Sequence, residues 1–305
     1  DTLMFVTDRG QLYWLKVYKI PEGSRTAKGK AVVNLIQLQP DEKIKAIIPT
    51  TDFDESKSLA FFTKNGIVKR TNLSEFKNIR SVGVRAISLD ENDELVTALI
   101  AQTYDDIPVT DPENELSVET EVLEVEEIQN EIDEDSANAE EDANSGDETM
   151  LFVVTKKGMC LKFKISKVRQ MGRTARGVTG IKFKEPGDEV VGAAVIESND
   201  QEILSISQKG IGKRTTADEY RLTNRGGKGV ICMKLTSRTG DLVGVVMVDE
   251  EQDLMALTSS GKMIRVDMQS IRKAGRNTSG VIVVNVDGDD VVSIARCPKA
   301  DDGED

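Results

Sequence analysis

The 305-residue sequence contains no histidine, three cysteines, one tryptophan and only 4% aromatic residues. Each shortage excludes something. Without histidine there is no Ser-His-Asp or Cys-His centre and no His-based metal site. The cysteines, Cys160, Cys232 and Cys297, are odd in number and far apart. They predict neither a disulfide framework nor a zinc site, fit a reducing cytoplasm, and read as small buried apolar residues. No stretch reaches the ~18 apolar residues of a membrane helix. The start, Asp1-Thr2-Leu3-Met4-Phe5, lacks the basic flank and apolar core of a signal peptide. No Gly-x4-Gly-Lys-Ser/Thr loop is present for a nucleotide. So few aromatics make a thin single core; several small modules, each burying a modest layer, suit the composition better.

Basic residues are missing from one long stretch. Asp105 to Thr149 holds nineteen Asp and Glu and neither Lys nor Arg. The formal net charge of −13 is therefore misleading, because outside that stretch 34 acidic residues face 40 basic ones. The last five residues, 301–305, carry four more acids. The chain reads as a basic body with an acidic insert, about 103–149, and an acidic tail, 301–305. The insert has no aromatic after Tyr104 and no glycine before Gly146. It cannot bury enough apolar surface to offset its ordering entropy and is expected to be disordered, with Val118 to Ile132 as a transient helix.

What remains is a repeat. Five segments begin alike, with a short apolar strand, a polar turn and a glycine at Gly10, Gly66, Gly158, Gly210 and Gly261. Each is a hairpin signal, and the glycines read as plain turn residues. An arginine follows fifteen positions later in four copies (Arg25, Arg173, Arg225, Arg276), with Arg80 at fourteen in the second. A second glycine follows at nineteen (Gly29, Gly177, Gly229, Gly280), with Gly83 two short. A β-branched strand comes next, then an acidic turn at Asp41, Asp93, Asp188, Asp241 and Asp289, then a closing strand. Gly-to-Gly intervals of 56, 92, 52 and 51 place the insert inside the long one. Segments such as Leu73-Ser-Glu-Phe76 and Ile165-Ser-Lys-Val168 are expected to be short helical turns. About four strands in about fifty residues predict an all-β, propeller-like stack of blades. The repeats fall near 1–56, 57–102, 150–200, 201–251 and 252–300, within one domain of 1–300.

Val17-Tyr18-Lys19-Ile20-Pro21-Glu22-Gly23-Ser24-Arg25, with Ala27-Lys28-Gly29 and Val32-Val33-Asn34-Leu35, resembles the first full repeat of the C-terminal domain of gyrase A. Lys213-Arg214-Thr215 with Glu219-Tyr220, and Gly275 through Val281, resemble later repeats. The resemblance covers nearly the whole chain outside the insert and tail. It implies a β-pinwheel of five to six four-stranded blades that exchange strands, in a ring or an open spiral. It also implies a non-catalytic domain that wraps duplex DNA with positive handedness for a strand-passing, ATP-dependent topoisomerase. The implied partners are duplex DNA, the rest of the gyrase A polypeptide and the gyrase B polypeptide in a heterotetramer, in the bacterial cytoplasm, with no membrane, metal or cofactor. Two departures stand out. The family's Gln-Arg-Arg-Gly-Gly-Lys-Gly box belongs to a first blade that this chain does not match. The fourth repeat carries the last five positions of that box, Arg225-Gly226-Gly227-Lys228-Gly229.

Wrapping needs cations recurring along a curved edge to meet phosphates. The repeat offers them on the second strand, at Lys16, Lys69, Arg70, Lys162, Lys213, Arg214 and Arg265. It offers them again in the following loop, at Arg25, Lys28, Arg80, Arg85, Arg173, Arg176, Arg225, Lys228 and Arg276. A common phase predicts a single belt, with Gly226, Gly227 and Gly229 letting backbone amides approach phosphates. Such contacts position a duplex without reading its sequence. Trp14 and the tyrosines are expected in blade packing. None of Tyr13, Tyr18, Tyr104 and Tyr220 follows an arginine, as the strand-cleaving tyrosine of these enzymes does. The equivalent domain of topoisomerase IV, and a propeller-like protein-interaction scaffold, are the competing readings; the scaffold would not need a phased belt. The insert reads either as a solvated loop between blades or as a tethered DNA mimic competing for the belt.

Overall fold

The computed structural model describes residues 1–24, 28–78, 82–103, 148–249 and 251–299. The bulk of the acidic insert, the acidic tail, Arg25 and Arg80 lie outside them. The first repeat supplies β1 (Thr2–Thr7), β2 (Gln11–Lys16) and β3 (Ile44–Thr50). The second supplies β4 (Lys57–Thr63), β5 (Ile67–Asn72), β6 (Val84–Arg85) and β7 (Leu95–Gln102). The third supplies β8 (Met150–Thr155), β9 (Met159–Lys164), β10 (Val178–Thr179) and β11 (Val190–Ile196). The fourth supplies β12 (Glu202–Ser207), β13 (Ile211–Thr216), β14 (Val230–Ile231) and β15 (Leu242–Met247). The fifth supplies β16 (Gln252–Thr258), β17 (Met263–Asp267), β18 (Val281–Ile282) and β19 (Val291–Pro298). The expected helical turns are present as 3-10 turns, Leu73–Phe76 and Ile165–Lys167 among them.

The sheets do not coincide with the repeats. Strand order is β3-β1-β2-β6, β10-β5-β4-β7, β11-β8-β9-β14, β15-β12-β13-β18 and β17-β16-β19. The third strand of each of the last four repeats therefore belongs to the sheet before it. Val84 stands opposite Leu12, Val178 opposite Val68, Val230 opposite Cys160 and Val281 opposite Gly212. Two residues of ladder are too little to hold a strand, so a second bond set fixes the joint. The carbonyl of the hairpin glycine accepts two amides from the next repeat. Gly66 receives Gly180 (2.8 Å) and Ile181 (3.2 Å), Gly158 receives Cys232 (2.8 Å) and Met233 (3.3 Å), and Gly210 receives Val283 (2.9 Å) and Val284 (3.0 Å). Gly10 receives Ala86 and Ile87 in the same way. These glycines thus do more than turn the chain: Gly210 has φ +71°, and a Cβ there would lie 2.0 Å from the Val284 carbonyl oxygen.

Both faces of the middle sheets are apolar and pack on their neighbours. Ala60, Phe62 and Val68 meet Leu151, Leu161 and Phe163; Phe152, Val154 and Cys160 meet Ile203, Tyr220 and Val245. The last strands β3, β7, β11, β15 and β19 pack side by side. The exchanged strands therefore occupy the opposite edge, away from that seam. The acidic turns tie the hairpins: Asp188 accepts the Thr155 hydroxyl (2.7 Å) and the Lys157 amide (2.9 Å), and Asp93 accepts the Asn65 amide (2.9 Å). In the first repeat Glu42, not Asp41, has this part, accepting the Thr7 hydroxyl (2.6 Å) and the Tyr13 hydroxyl (2.9 Å). Burial and that carboxylate push the Tyr13 phenol up to about 12.

The ends of the series differ from the expected uniform repeat. In the first, residues 32–34 form a 3-10 turn instead of a donated strand, and Val32, Leu35 and Ile36 pack on Phe5, Tyr13 and Leu15 of their own sheet. In the fifth sheet β17 has no fourth strand among the described residues. Tyr18 is 80% exposed and takes no part in blade packing, unlike Tyr13 and Tyr220. Cys160 and Cys232 are buried as expected, whereas Cys297 is only half-buried.

Candidate nucleic-acid interface

Sheet order decides where each cation sits. A second strand is one layer in from the donated edge, so a side chain on it is roofed by the loop of the next repeat. Lys69, Arg70, Lys162, Lys213 and Arg214 are all buried. Lys69 Nζ donates to the carbonyls of Ala86 (2.5 Å) and Arg173 (2.6 Å). Lys213 Nζ donates to those of Gly275 (2.6 Å) and Arg276 (2.5 Å). Lys162 Nζ donates to Asn199 Oδ1 (2.9 Å) and the Ala217 carbonyl (2.8 Å). Arg214 donates to the carbonyls of Ile271 (2.7 Å) and Gln269 (3.1 Å) and pairs with Glu202 at 3.4 Å. Except at Ala86, at Asn199 and in the Arg214–Glu202 pair, these acceptors belong to the following repeat. An unpaired buried ammonium costs several kcal/mol, and loop carbonyls offset this. Burial still lowers Lys69 and Lys213 to about 8, and lowers Lys162.

At these five positions the belt expected on the second strands is therefore not at the surface, while Arg265 is exposed and Lys16 half-buried. Lys69, Lys162, Lys213 and Arg214 are straps that hold an outer loop to the sheet beneath. The two end copies bond within their own sheets. Arg265, with no later repeat among the described residues, bonds Asp253 Oδ2 at 2.7 Å and the Pro298 carbonyl. Lys16 donates to Thr2 Oγ1 at 2.9 Å and lies 5.5 Å from the Trp14 ring centroid.

The outer loops start beside the second strand of the preceding repeat and return to it. Gln170 bridges Arg70, Leu222 bridges Lys162 and Lys273 bridges Arg214. The loop then arches over the strap and comes back at the second glycine, where a Gly229 Cβ would lie 2.3 Å from the Cys160 carbonyl oxygen. Arg225 helps clamp the arch, with Nε on the Lys167 carbonyl (2.8 Å) and Nη1 on that of Thr179 (3.1 Å). Arg276 Nη1 reaches the Ile231 carbonyl at 3.3 Å in the same way. The Gly226 amide is bonded to the Gly180 carbonyl at 2.6 Å and the Gly227 carbonyl to the Lys182 amide at 2.9 Å. Gly229 thus serves close approach within the protein and the Gly226 amide is bonded internally, whereas a Cβ at Gly226 or Gly227 would meet nothing nearer than 3.5 Å.

What remains outside is a smaller set. Lys28, Arg85, Arg176 and Lys228 are exposed, and Arg173 is half-buried with its carbonyl held by Lys69. Arg176 pairs with Asp90, both well exposed; such a pair is worth about 0–1 kcal/mol and yields readily to another anion. Lys228 makes no hydrogen bond or ion pair among the described residues. A further row escaped the sequence reading. Lys77, Arg169, Arg221 and Arg272 each stand eleven residues after the hairpin glycine, all exposed. The signal was present in the same spacing that revealed the other rows.

The family described as "DNA gyrase C-terminal domain, beta-propeller" matches residues 1–51, 57–102, 149–197, 201–249 and 252–298. The chain belongs to the DNA gyrase C-terminal domain family. Those five segments coincide with the five repeats, and the unmatched gap of 103–148 with the acidic insert. Glu148 nonetheless pairs with Lys164 at 3.2 Å, and the Thr149 carbonyl accepts the Ile165 amide at 3.0 Å, so the third repeat begins slightly before the expected boundary. The DNA gyrase A polypeptide of Campylobacter fetus is 75% identical over the whole chain, and that of Helicobacter pylori strain 26695 is 48% identical. The chain spans about a third of the length of these relatives, 34% and 31%. Among solved structures, the C-terminal domain of DNA topoisomerase IV has a TM-score of 0.74 at 23% identity, covering 98% of this chain and 79% of that one. A C-terminal domain of DNA gyrase A has 0.72 at 22%, covering 97% and 82%. Both share the fold of propeller-like sheets. Within this family fold the strand exchange expected from the resemblance is present, and it is what buries the straps and lifts the loops outward.

Proposed function

We propose that the chain binds duplex DNA along the loop edge of its sheets and bends it with positive handedness, so that a gyrase core introduces negative supercoils. The observation that carries the reading is the row of exposed cations eighteen residues after the hairpin glycine, Lys28, Arg176 and Lys228, on loops that repeat in a gyrase C-terminal domain. Phosphates in a bent duplex recur along an arc, and cations recurring at one phase, here in three of the five repeats, meet them without regard to sequence. The rest of gyrase A, together with gyrase B in a cytoplasmic heterotetramer, supplies cleavage and ATP hydrolysis, and this part of the chain needs no metal or cofactor. The test is ligation of nicked plasmid in the presence of the chain, followed by removal of protein and measurement of linking number. A positive shift that grows with protein supports chiral wrapping. Binding without a shift refutes it and leaves a domain that only holds DNA.

A further inference from the structure

We infer that Lys77, Arg169, Arg221 and Arg272 form a second phosphate-contacting row, one in each of the last four repeats, distinct from the row at Lys28, Arg176 and Lys228. The inference deepens the proposed function and rests on duplex DNA being the ligand. Four repeats place a cation eleven residues after the hairpin glycine, and the first has Pro21 there. All four side chains are exposed and make no hydrogen bond or ion pair among the described residues. In this they differ from the recurrent cations that are used internally: Lys213 and Arg214 at +3 and +4 strap the loops, and Arg225 and Arg276 at +15 clamp them.

Three of the four share one observed place in the fold. Arg169, Arg221 and Arg272 each lie next to the residue that bridges the preceding sheet, Gln170, Leu222 and Lys273, at the foot where the outer loop begins, and Lys77 has the same spacing in its repeat. The donated strands pair at the other foot, at Val68, Cys160 and Gly212, and the row eighteen residues after the hairpin glycine supplies Arg176 and Lys228 beside the first two, while the third has Ser279 there. Arg70 and Val68, Lys162 and Cys160, and Arg214 and Gly212 are each two positions apart on one strand, so the feet stand about 7 Å apart at ~3.3 Å per residue. The minor groove is ~6 Å wide. The loops of the third and fourth repeats, with Arg169 and Arg176 and with Arg221 and Lys228, thus bring a cation to each side of an inward-facing minor groove, touching phosphates of both strands, while a single row follows only one. Contact with both strands resists rolling of the duplex on the edge, and that resistance is what a fixed handedness of bending requires.

The test uses the whole 305-residue chain and a linear duplex of random sequence. Lys77→Gln, Arg169→Gln, Arg221→Gln and Arg272→Gln are combined, and Kd is measured across a salt series. The expected result is a salt slope lower by about 3 to 4, at about 0.9 per phosphate contact, with at least a tenfold weaker Kd at ~0.1 M salt and an unchanged melting curve. A control combines Lys43→Gln, Lys45→Gln, Arg296→Gln and Lys299→Gln, cations on or beside the last strands at the opposite edge, and is expected to leave the slope within about 1. An unchanged slope in the first set, or an equal loss in the control, overturns the second row while leaving the proposed function in place. Failure of the unaltered chain to bind at low salt overturns both.

Discussion

Replacing Lys213 with methionine separates an internal strap from a DNA contact. Methionine keeps the aliphatic length and removes the ammonium. The Gly275 carbonyl keeps the Thr278 hydroxyl at 2.7 Å, but the Arg276 carbonyl loses the partner that stands 2.5 Å away. Hydrogen bonds to a charged group are worth about 1.5–3 kcal/mol each, so losing two costs about 3–6 kcal/mol. Burial works the other way. It lowers the ammonium from 10.5 to about 8, and at 1.36 kcal/mol per pH unit the removed charge returns at most about 3 kcal/mol at neutral pH. The net expectation for Lys213→Met is a loss of about 1–2 kcal/mol at pH 7.

The pH dependence gives the sharper readout. The unfolded chain keeps the Lys213 proton to about pH 10.5, and the folded chain releases it near pH 8. Between those values the unfolded state binds more protons, so the stability of the parent rises with pH through this window. The methionine variant lacks that rise. The gap between parent and variant therefore widens, by about 1.3 kcal/mol from pH 7 to pH 9 on the same linkage. Lys69, also lowered to about 8, contributes equally to both proteins and cancels. Urea unfolding of the pair at pH 7, 8 and 9 measures the gap. A constant or narrowing gap refutes the buried ammonium. So does a fall of about 1 in the DNA salt slope of the variant under native conditions, since only a surface cation releases a counterion.

Gly210→Ala is expected to destabilise by more than about 3 kcal/mol, since φ is +71° and the Cβ meets the Val284 carbonyl oxygen. Gly261→Ala has φ +84° and nothing within 4 Å, so only the left-handed backbone cost of about 1–2 kcal/mol applies; equal losses in thermal unfolding would remove the glycine joint as an explanation. Lys228→Gln is expected to leave the melting temperature unchanged and lower the salt slope by about 0.9, and an unchanged slope takes Lys228 off the interface. Deleting residues 105–146, which spares the Glu148–Lys164 pair, is expected to tighten DNA binding, because tethered carboxylates compete with phosphates at high effective concentration. Identical affinities with and without the segment across a salt series would reduce it to a spacer.

The repeats were legible because their punctuation is physical. A glycine at positive φ, as at Gly66 and Gly158, tolerates almost no replacement, so its spacing survives in a chain where strand residues interchange freely. The depth of each residue was not legible. Spacing gives phase along the repeat, and Lys69 and Lys77 are equally well phased. Whether a phased cation is buried or free depends on what covers it, and the cover comes from the next repeat through a strand of two residues, as at Val178–Thr179. No periodicity marks so short a strand, and only the family resemblance implied the exchange. The first repeat shows the same limit, since its spacing to Gly29 is regular while the segment after it folds onto its own sheet.

Burying one set of cations and exposing another makes cohesion and binding answer to different conditions. Charges in water are screened beyond about 8 Å at physiological ionic strength, while buried ones are screened far less. The bonds of Lys69, Lys162, Lys213 and Arg214 to loop carbonyls are of the second kind. Exposed cations such as Arg169, Arg221 and Lys228 are of the first. Rising salt therefore releases DNA long before it loosens the loops that carry the outer cations. Dissociation by salt is expected to be fully reversible, with the same unfolding midpoint recovered after return to low salt. The same Lys and Arg chemistry serves both ends, and the one strand of separation between layers is what keeps them apart.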